Sequence, residues 1–502
     1  MDAIFANIHG LIDGLFIALQ PANLWIVFVG CFMGTLVGVL PGIGPVAAIS
    51  ILLPITFQMS PVGAIIMLAG IYYGAMYGGS TTSILMNVPG ETASVMTCID
   101  GYPMARQGKA GPALGISAIA SFIAGTLGLI GLQVIAYPLA TIALKFGPSE
   151  YFAIILLGFT MIIYLAGKSI LKAAIMVCTG IILGCVGLDP ITSQQRMTFG
   201  ALNLFEGIGI APLAMGLFGV AEVFSVFESM QMKEPLKVKI KTLFPSRLDW
   251  IQSKWAILRG TLIGFFMGII PGGGPVMSTF IAYSVEKQVA KNPERFGCGA
   301  IEGVASPEAA SNAASSTSFI PLFILGIPPN VILAVLYSAF LIHGVPTGPL
   351  LLKDHPDIFW GVLGSMYIGN VILLILNLPL IPLWVQLLKI PGKLLYPLVL
   401  LFCLVGAYSI NNNVFDIGVM IFFGIAGYLM KKFDYERAPF IMAFVLGPMF
   451  EVNLRRSLIL SDGSFFIFFN RPISMTAMML ACAIIVYPLC RSLWKYFRSH
   501  PG

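Results

Sequence analysis

Apolar runs of about twenty residues, each closed off by a short charged cluster, recur along this chain. About twenty apolar residues make a helix that crosses the hydrocarbon core of a bilayer. That pattern excludes most folds at once. In lipid every backbone N–H and C=O must find a partner within the chain, which leaves helices and closed barrels. Barrel strands alternate apolar and polar residues, and these runs do not. Only 10% of the 502 residues are charged and 58% are hydrophobic, at a mean hydropathy of +0.92, whereas soluble chains carry roughly 25% charged residues. The expected fold is an all-α polytopic membrane protein. A removable signal peptide needs a basic start, and the first Lys or Arg is Arg106, so the N-terminus is expected to be retained.

Two of the apolar runs interrupt themselves. "GVLPGIGPVAAISILLP" begins at Gly38 and "GIIPGGGPVMSTF" at Gly268. Proline removes a helical donor and clashes with the preceding turn, while glycine permits backbone conformations closed to other residues. Pro41, Gly42, Ile43, Gly44 and Pro45 therefore break one helix, and Pro271, Gly272, Gly273, Gly274 and Pro275 break another. Gly34 and Gly38 precede the first break as Gly264 and Gly268 precede the second. Two weaker matches follow in order: "NVPG" (Asn87, Pro89, Gly90) with "GIPP" (Gly326, Pro328, Pro329), and "GYP" at Gly101 with "GVP" at Gly344. Together they suggest an internal repeat.

Residues 229–259 hold seven Lys/Arg against two acids and read as a cytoplasmic linker between the halves, a solvated connection in preference to a contact for anionic lipid or a partner subunit. Suppose that the N-terminus lies outside and that the broken segments are re-entrant hairpins. Full spans then fall near 61–77, 112–134, 150–166, 173–187 and 205–226, and near 300–317, 358–384, 394–410, 413–430 and 439–458, with a last one near 472–490. That is about 11 spans plus hairpins, and 22 of the 28 Lys/Arg then face the cytoplasm, as the positive-inside rule requires. Five spans per half make the two repeats inverted in topology. Accordingly "GYPMARQGKAG" is basic whereas "GVPTGPLLLKDHPD" is not. The expected organisation is an interfacial N-terminal segment (1–21), a first repeat (22–228), the linker (229–258), a second repeat (259–467) and a final helix with a basic tail (468–502).

Inverted repeats with interrupted helices bring the broken ends together near the midplane, where helix N-termini attract anions and unwound carbonyls hold cations. A kink that eases packing is the alternative. The backbone donors of Gly42, Ile43, Gly44, Gly272, Gly273 and Gly274 are the candidate anion ligands, with Ser80, Thr81, Thr82, Asn87 and Asn312 as candidate side-chain ligands. Those hydroxyls can equally bond back to their own helix. Acids inside a membrane are costly and mark ion or proton paths. Glu302 and Glu308, with Ser315, Ser316 and Thr317, are the candidates for ion coupling or gating, unless the acids pair with Lys287, Lys291 or Arg295 at an interface.

Eight cysteines lie singly and four histidines are scattered, so no metal centre or cofactor is expected. "GFTMIIYLAGKS" ends like a phosphate loop in Gly167–Ser169 but has Ile162 where that motif needs glycine. No nucleophile–base set is present. These observations favour a carrier over a pump or an enzyme, with a channel or ion-driven exporter of organic anions as the alternative.

The stretches "GVLPGIGPVAAISILLP", "YYGAMYGGSTTSILMNVPGETASVMTCIDGYPMARQGKAGPALGISAIASFIAG" and "FGCGAIEGVASPEAASNAASSTSFIPLFILGIP" resemble the large, TctA-like membrane subunit of tripartite tricarboxylate transporters. The resemblance implies a multi-pass protein of the bacterial inner membrane. It implies import of citrate or related carboxylates, driven by Na+ or H+ and needing no other cofactor. The partners it implies are a small four-span membrane subunit and a periplasmic solute-binding protein, with no nucleic acid. The family pattern reads A-A-P-E-A-A-N-N-A and then G-I-P-G-S, from which Ser306, Ser311, Pro329 and Asn330 depart here.

Overall fold

The computed structural model describes residues 2–40, 44–165, 169–229, 243–387 and 392–499. Pro41, Gly42, Ile43, the linker residues 230–242 and Gly167 lie outside the described residues. The first half runs α1 (Asp2–Leu19), α2 (Pro21–Val39), α3 (Gly44–Leu52), α4 (Pro61–Met86), α5 (Val95–Arg106), α6 (Ala110–Ala143), α7 (Pro148–Leu165) and α8 (Ile170–Gly184). A two-residue antiparallel pairing of Gly187–Leu188 with Gln195–Arg196 follows. Next come α9 (Ile210–Ala214), a π-helical turn (Met215–Val220) and α10 (Ala221–Ser229). The second half holds α11 (Arg247–Ile269), α12 (Gly274–Val289), α13 (Glu302–Thr317), α14 (Phe319–Leu325), α15 (Val331–Ile342), α16 (Leu351–Asp354) and α17 (Pro356–Asn377). It closes with α18 (Ile381–Leu387), α19 (Gly392–Asn411), α20 (Val414–Lys432), α21 (Arg437–Leu460) and α22 (Pro472–Ser499).

Among the described residues six helices, α2, α4, α6, α7, α17 and α20, are long and apolar enough to cross a membrane, and shorter apolar helices accompany them. The chain is a multi-pass, all-α membrane protein. Some boundaries differ from the sequence reading for identifiable reasons. Helix α4 continues past 77 to Met86, so "NVPG" is the tip that ends it. The span expected over 358–384 stops at Asn377, because Pro379 has no N–H to donate to the preceding turn and its ring clashes there. Helix α11 starts at Arg247, inside the stretch read as linker, because Ser246 and Asp249 close a capping box. The "GYP"/"GVP" match has no common local structure. Pro103 lies within α5, whereas Gly344, at φ +66°, follows the end of α15.

The chain forms two compact units, residues 1–141 with 210–429 and residues 142–209 with 430–502. In the first unit, α2 lies on α4 with the backbones almost touching. A Cβ at Gly30, Gly34 or Gly38 would come within 2.6, 2.4 and 2.4 Å of the carbonyl oxygens of Met67, Ile71 and Ala75. Helix α11 lies on α13 in the same spacing. A Cβ at Gly260, Gly264 or Gly268 would meet the carbonyls of Ser306, Ala310 and Ala314 at 2.3, 2.2 and 2.5 Å. Small residues at every fourth position are what allow helices in lipid to pack at such range. The N-terminal helix α1 seats Gly10 and Gly14 against Trp360 of α17.

In the second unit α8 packs on α21 through Gly180 and Gly184, whose Cβ positions face the carbonyls of Phe440 and Phe444. The loop after α8 is tied down by charge. Asp189 accepts from the N–H groups of Ile191 (2.7 Å) and Thr192 (3.2 Å), from Arg455 (2.7 Å) and from Arg196. Arg196 also donates to Glu451 at 2.6 Å. Burial pushes the Asp189 carboxyl up, but these N–H groups and guanidinium groups outweigh it and hold it well below the usual carboxylate range.

Two outcomes follow from this packing. Gly264→Leu is expected to lower stability by about 1–3 kcal/mol through overpacking against Ala310. Gly418→Leu, where a Cβ meets nothing within 4 Å, stays within about 0.5 kcal/mol of wild type; unfolding in mixed detergent micelles measures both. Asp189→Asn is expected to destabilise at neutral pH. A depressed folded-state pKa stabilises above the unfolded pKa and is lost as pH falls through the folded one. The gap between variant and wild type in a thermal-shift series therefore stays constant from pH 8 to pH 5 and narrows below about pH 4.

Candidate functional site

The two interrupted segments reach the same local backbone. Helix α2 ends at Val39, whose carbonyl has no partner farther along its own helix. The Thr82 hydroxyl supplies one at 2.6 Å. After the break α3 starts at Gly44 with φ +65°, and α12 starts at Gly274, also with φ +65°. That left-handed conformation is one that glycine adopts without steric cost. Proline then occupies the first turn of each helix, at Pro45 and Pro275, where its missing N–H and fixed φ suit a helix start.

The hairpin tips match as well. Helix α4 stops on Asn87 (φ 55°, ψ 37°) and α14 on Gly326 (φ 69°, ψ 17°). Both chains then run to an extended N-cap, Glu91 (φ −142°, ψ 170°) in the first and Asn330 (φ −146°, ψ 167°) in the second. Glu91 accepts from the Ala93 N–H at 2.6 Å, and Asn330 from the Leu333 N–H at 3.0 Å. Each tip is pressed onto its broken helix. A Cβ at Gly90 would lie 2.1 Å from the Gly38 carbonyl, and the Gly272 N–H donates to the Pro329 carbonyl at 2.8 Å. Asn87 is exposed, so its part here is the left-handed stop. Pro89 and Pro328 lie in the non-helical stretches beyond each stop. Of the expected second-half donors, the Gly272 and Gly273 N–H groups are engaged, the latter by the Ile270 carbonyl at 3.0 Å.

Between these segments lies a buried polar cluster around Glu308. Ser80 donates to its Oε2 at 2.6 Å, Ser121 to the same oxygen at 3.4 Å, and Thr97 to Oε1. Asn312 donates to Ser121 at 2.8 Å and to the Glu308 carbonyl at 3.1 Å. All five residues are at most 3% exposed. Among the described residues no Lys or Arg pairs with Glu308. The structure thus brings together Ser80, Glu308 and Asn312 from the sequence candidates and adds Thr97 and Ser121, which sequence reading missed. Thr81 is buried in α4 outside this network. Ser315, Ser316 and Thr317 donate to the carbonyls of Ser311, Asn312 and Ala313, the back-bonding that helical hydroxyls favour. Glu302 pairs with Arg295 at 3.3 Å in the first turn of α13.

Two further buried acids escaped the sequence reading. Asp100, fully buried on α5, accepts at Oδ1 from the N–H groups of Gly297 (2.9 Å), Gly299 (2.8 Å) and Ala300 (2.8 Å). Its Oδ2 accepts from Tyr283 at 2.8 Å. Successive N–H groups of this kind form a nest for an anion, here filled by the chain's own carboxylate. Glu286 on α12 accepts from Arg259 on α11 at 2.9 and 2.6 Å, joining the two arms of the second break. An acid within the largely apolar run of α5 was the available signal for Asp100.

The profile of the tripartite tricarboxylate transporter TctA family matches residues 24–442, which includes both interrupted segments and both tips. The chain belongs to the TctA family. Membership makes it a component of a tripartite tricarboxylate transporter system, one that works with partner subunits. It is 49% identical over 97% of both chains to an uncharacterized 52.8 kDa protein in the TAR-I ttuC' 3' region of Agrobacterium vitis. It is also 47% identical to an uncharacterized protein in the TAR-II ttuC' 3' region of the same organism, across 46% of this chain and 95% of the relative. No solved structure matches the chain.

Asp100→Ala leaves three N–H groups without their acceptor, and the buried one, on Ala300, costs about 1–3 kcal/mol when left unmatched. Asp100→Asn keeps a carbonyl oxygen for them and turns its amide toward Tyr283, whose hydroxyl can accept. Alanine is therefore expected to lower the unfolding midpoint more than asparagine, read by differential scanning fluorimetry. Equal loss in both variants would remove the nest as the explanation.

Proposed function

We propose that this chain is the large transmembrane subunit of a binding-protein-dependent secondary transporter of the bacterial inner membrane, importing tricarboxylates or related carboxylates. The observation that carries the reading is the pairing of the two interrupted segments. Each half holds a helix that restarts on a left-handed glycine, beside a hairpin that stops on a left-handed residue and recaps four residues later. Such equivalence supports two repeats, and the basic loops on one side support inverted topology. The first-turn N–H groups of α3 and α12 are free of intrahelical partners and attract anionic groups. On this reading they hold the substrate carboxylates, with Pro41, Gly42 and Ile43 completing the first break. A periplasmic binding protein delivers the substrate, a small four-span subunit completes the complex, and one part of the chain moves against the rest in alternating access.

Glu308 is the group proposed to couple transport to Na+ or H+. A carboxylate this deeply buried, surrounded by neutral donors and lacking a cationic partner among the described residues, costs several kcal/mol unless a proton or a metal cation joins it. Loading and unloading that site links the ion gradient to the conformational change.

The test is uptake of labelled di- and tricarboxylates into cells carrying the protein, with and without its binding protein and small subunit, and with and without Na+ at two pH values. Uptake of an acid that needs all three components is expected. Gly44→Val and Gly274→Val are expected to reduce it at least tenfold at unchanged membrane abundance, since valine does not adopt φ +65°. Glu308→Gln is expected to abolish stimulation by the ion. Normal uptake in both valine variants would sink the proposed binding site, and ion stimulation surviving in Glu308→Gln would remove that residue from coupling.

A further inference from the structure

We propose that the groove between α6 and the first turns of α11 is a binding site for an anionic phospholipid, held by the Lys254 ammonium and the indoles of Trp250 and Trp255. The groove is built by two close contacts with a gap between them. At one end a Cβ on Gly115 of α6 would lie 1.8 Å from the Leu243 carbonyl, and at the other a Cβ on Gly131 would lie 2.0 Å from the Phe265 ring. Between them the elements part and leave a cavity of 280 Å³ lined by Ile123, Leu127, Trp250, Lys254, Trp255 and Leu258. Its walls are apolar apart from a single cation.

That cation is uncompensated. Lys254 is exposed, its Nζ lies 5.8 Å from the centre of the Trp255 ring, and among the described residues no carboxylate pairs with it. Arg259, further along the same helix, is by contrast neutralised by both oxygens of Glu286. Tryptophan and lysine side chains together mark the membrane–water boundary, and α11 enters here directly from the polar linker. A phospholipid fits both requirements, with its phosphate at Lys254 and an acyl chain along Ile123, Leu127 and Leu258. On the first turns of α11, Arg247 and Lys254 outnumber the one acid, Asp249, which favours a net negative headgroup over a zwitterionic one. The site is independent of the transport reading.

The experiment is tryptophan quenching of the full-length protein in phosphatidylcholine vesicles, into which brominated phosphatidylglycerol or brominated phosphatidylcholine is introduced at equal mole fraction. We expect phosphatidylglycerol to quench at about fivefold lower mole fraction, the preference that one lysine near an anionic lipid confers. This component is lost in Trp250→Phe/Trp255→Phe. Lys254→Gln brings the two lipids to parity, while Lys254→Arg keeps the preference. Equal quenching by both lipids in the wild type would reduce the groove to ordinary annular contact. A wild-type signal unaffected by the double phenylalanine variant would mean that protein covers the groove, and a preference that survives Lys254→Gln would place the selectivity elsewhere. Each of these three results overturns the proposal.

Discussion

A helix interrupted inside a membrane exposes amides and carbonyls that no water can satisfy, and much of the first unit is arranged around that cost. The Val39 carbonyl is met by the Thr82 hydroxyl and the Gly272 N–H by the Pro329 carbonyl. Both partners come from the hairpin lying against the broken helix. They reach only because the helices nearly touch, and the helices nearly touch because glycine recurs every fourth residue along α2 and α11. Break, tip and glycine stripe are therefore one device, used twice.

Three buried acids of the first unit, Asp100, Glu286 and Glu308, are handled in three ways, and the difference bears on what each can do. Asp100 faces backbone N–H groups and Glu286 faces a guanidinium. Both kinds of group only donate, so each holds its carboxylate as an acceptor and suits it to fastening elements together. Glu308 faces mainly hydroxyls, from Ser80, Thr97 and Ser121. A hydroxyl donates or accepts by rotating, so this shell accommodates a bare carboxylate, a protonated one or one sharing a cation. Asp100 meets one such hydroxyl, that of Tyr283 at Oδ2, whereas Glu308 meets hydroxyls at both of its oxygens.

The sequence made the class of fold and the positions of the breaks legible, because proline, glycine and apolar length act locally. Gly44 and Gly274 stand at the left-handed positions that a restart after a break demands, and "NVPG" and "GIPP" mark the tips. What local chemistry does not encode was not legible. Thr97 and Ser121 meet Glu308 across more than 180 positions of chain, and no spacing rule reaches that far. Ser315, Ser316 and Thr317 looked like a ligand cluster, yet a helix offers each hydroxyl a carbonyl one turn back. "GYP" and "GVP" share letters but not structure, since Pro103 is carried within α5 while Gly344 follows the end of α15. The grouping of the chain into two units rests on contacts between segments far apart in sequence.

The departures from the family pattern can be weighed in the same terms. Asn330 stands where serine is expected, and it serves as the N-cap of α15. Asparagine and serine are near equals at that position, so the exchange leaves the backbone path unchanged. Pro329 stands where glycine is expected, yet what the tip uses there is the carbonyl that receives the Gly272 N–H, and proline keeps its carbonyl. The corresponding position in the first tip is Gly90, where a Cβ would collide with the Gly38 carbonyl, so that tip does not tolerate the same exchange. The two tips thus follow one backbone path under different steric limits. The exchanges at 329 and 330 therefore keep the Pro329 carbonyl and the cap of α15, the two features on which the second tip is built.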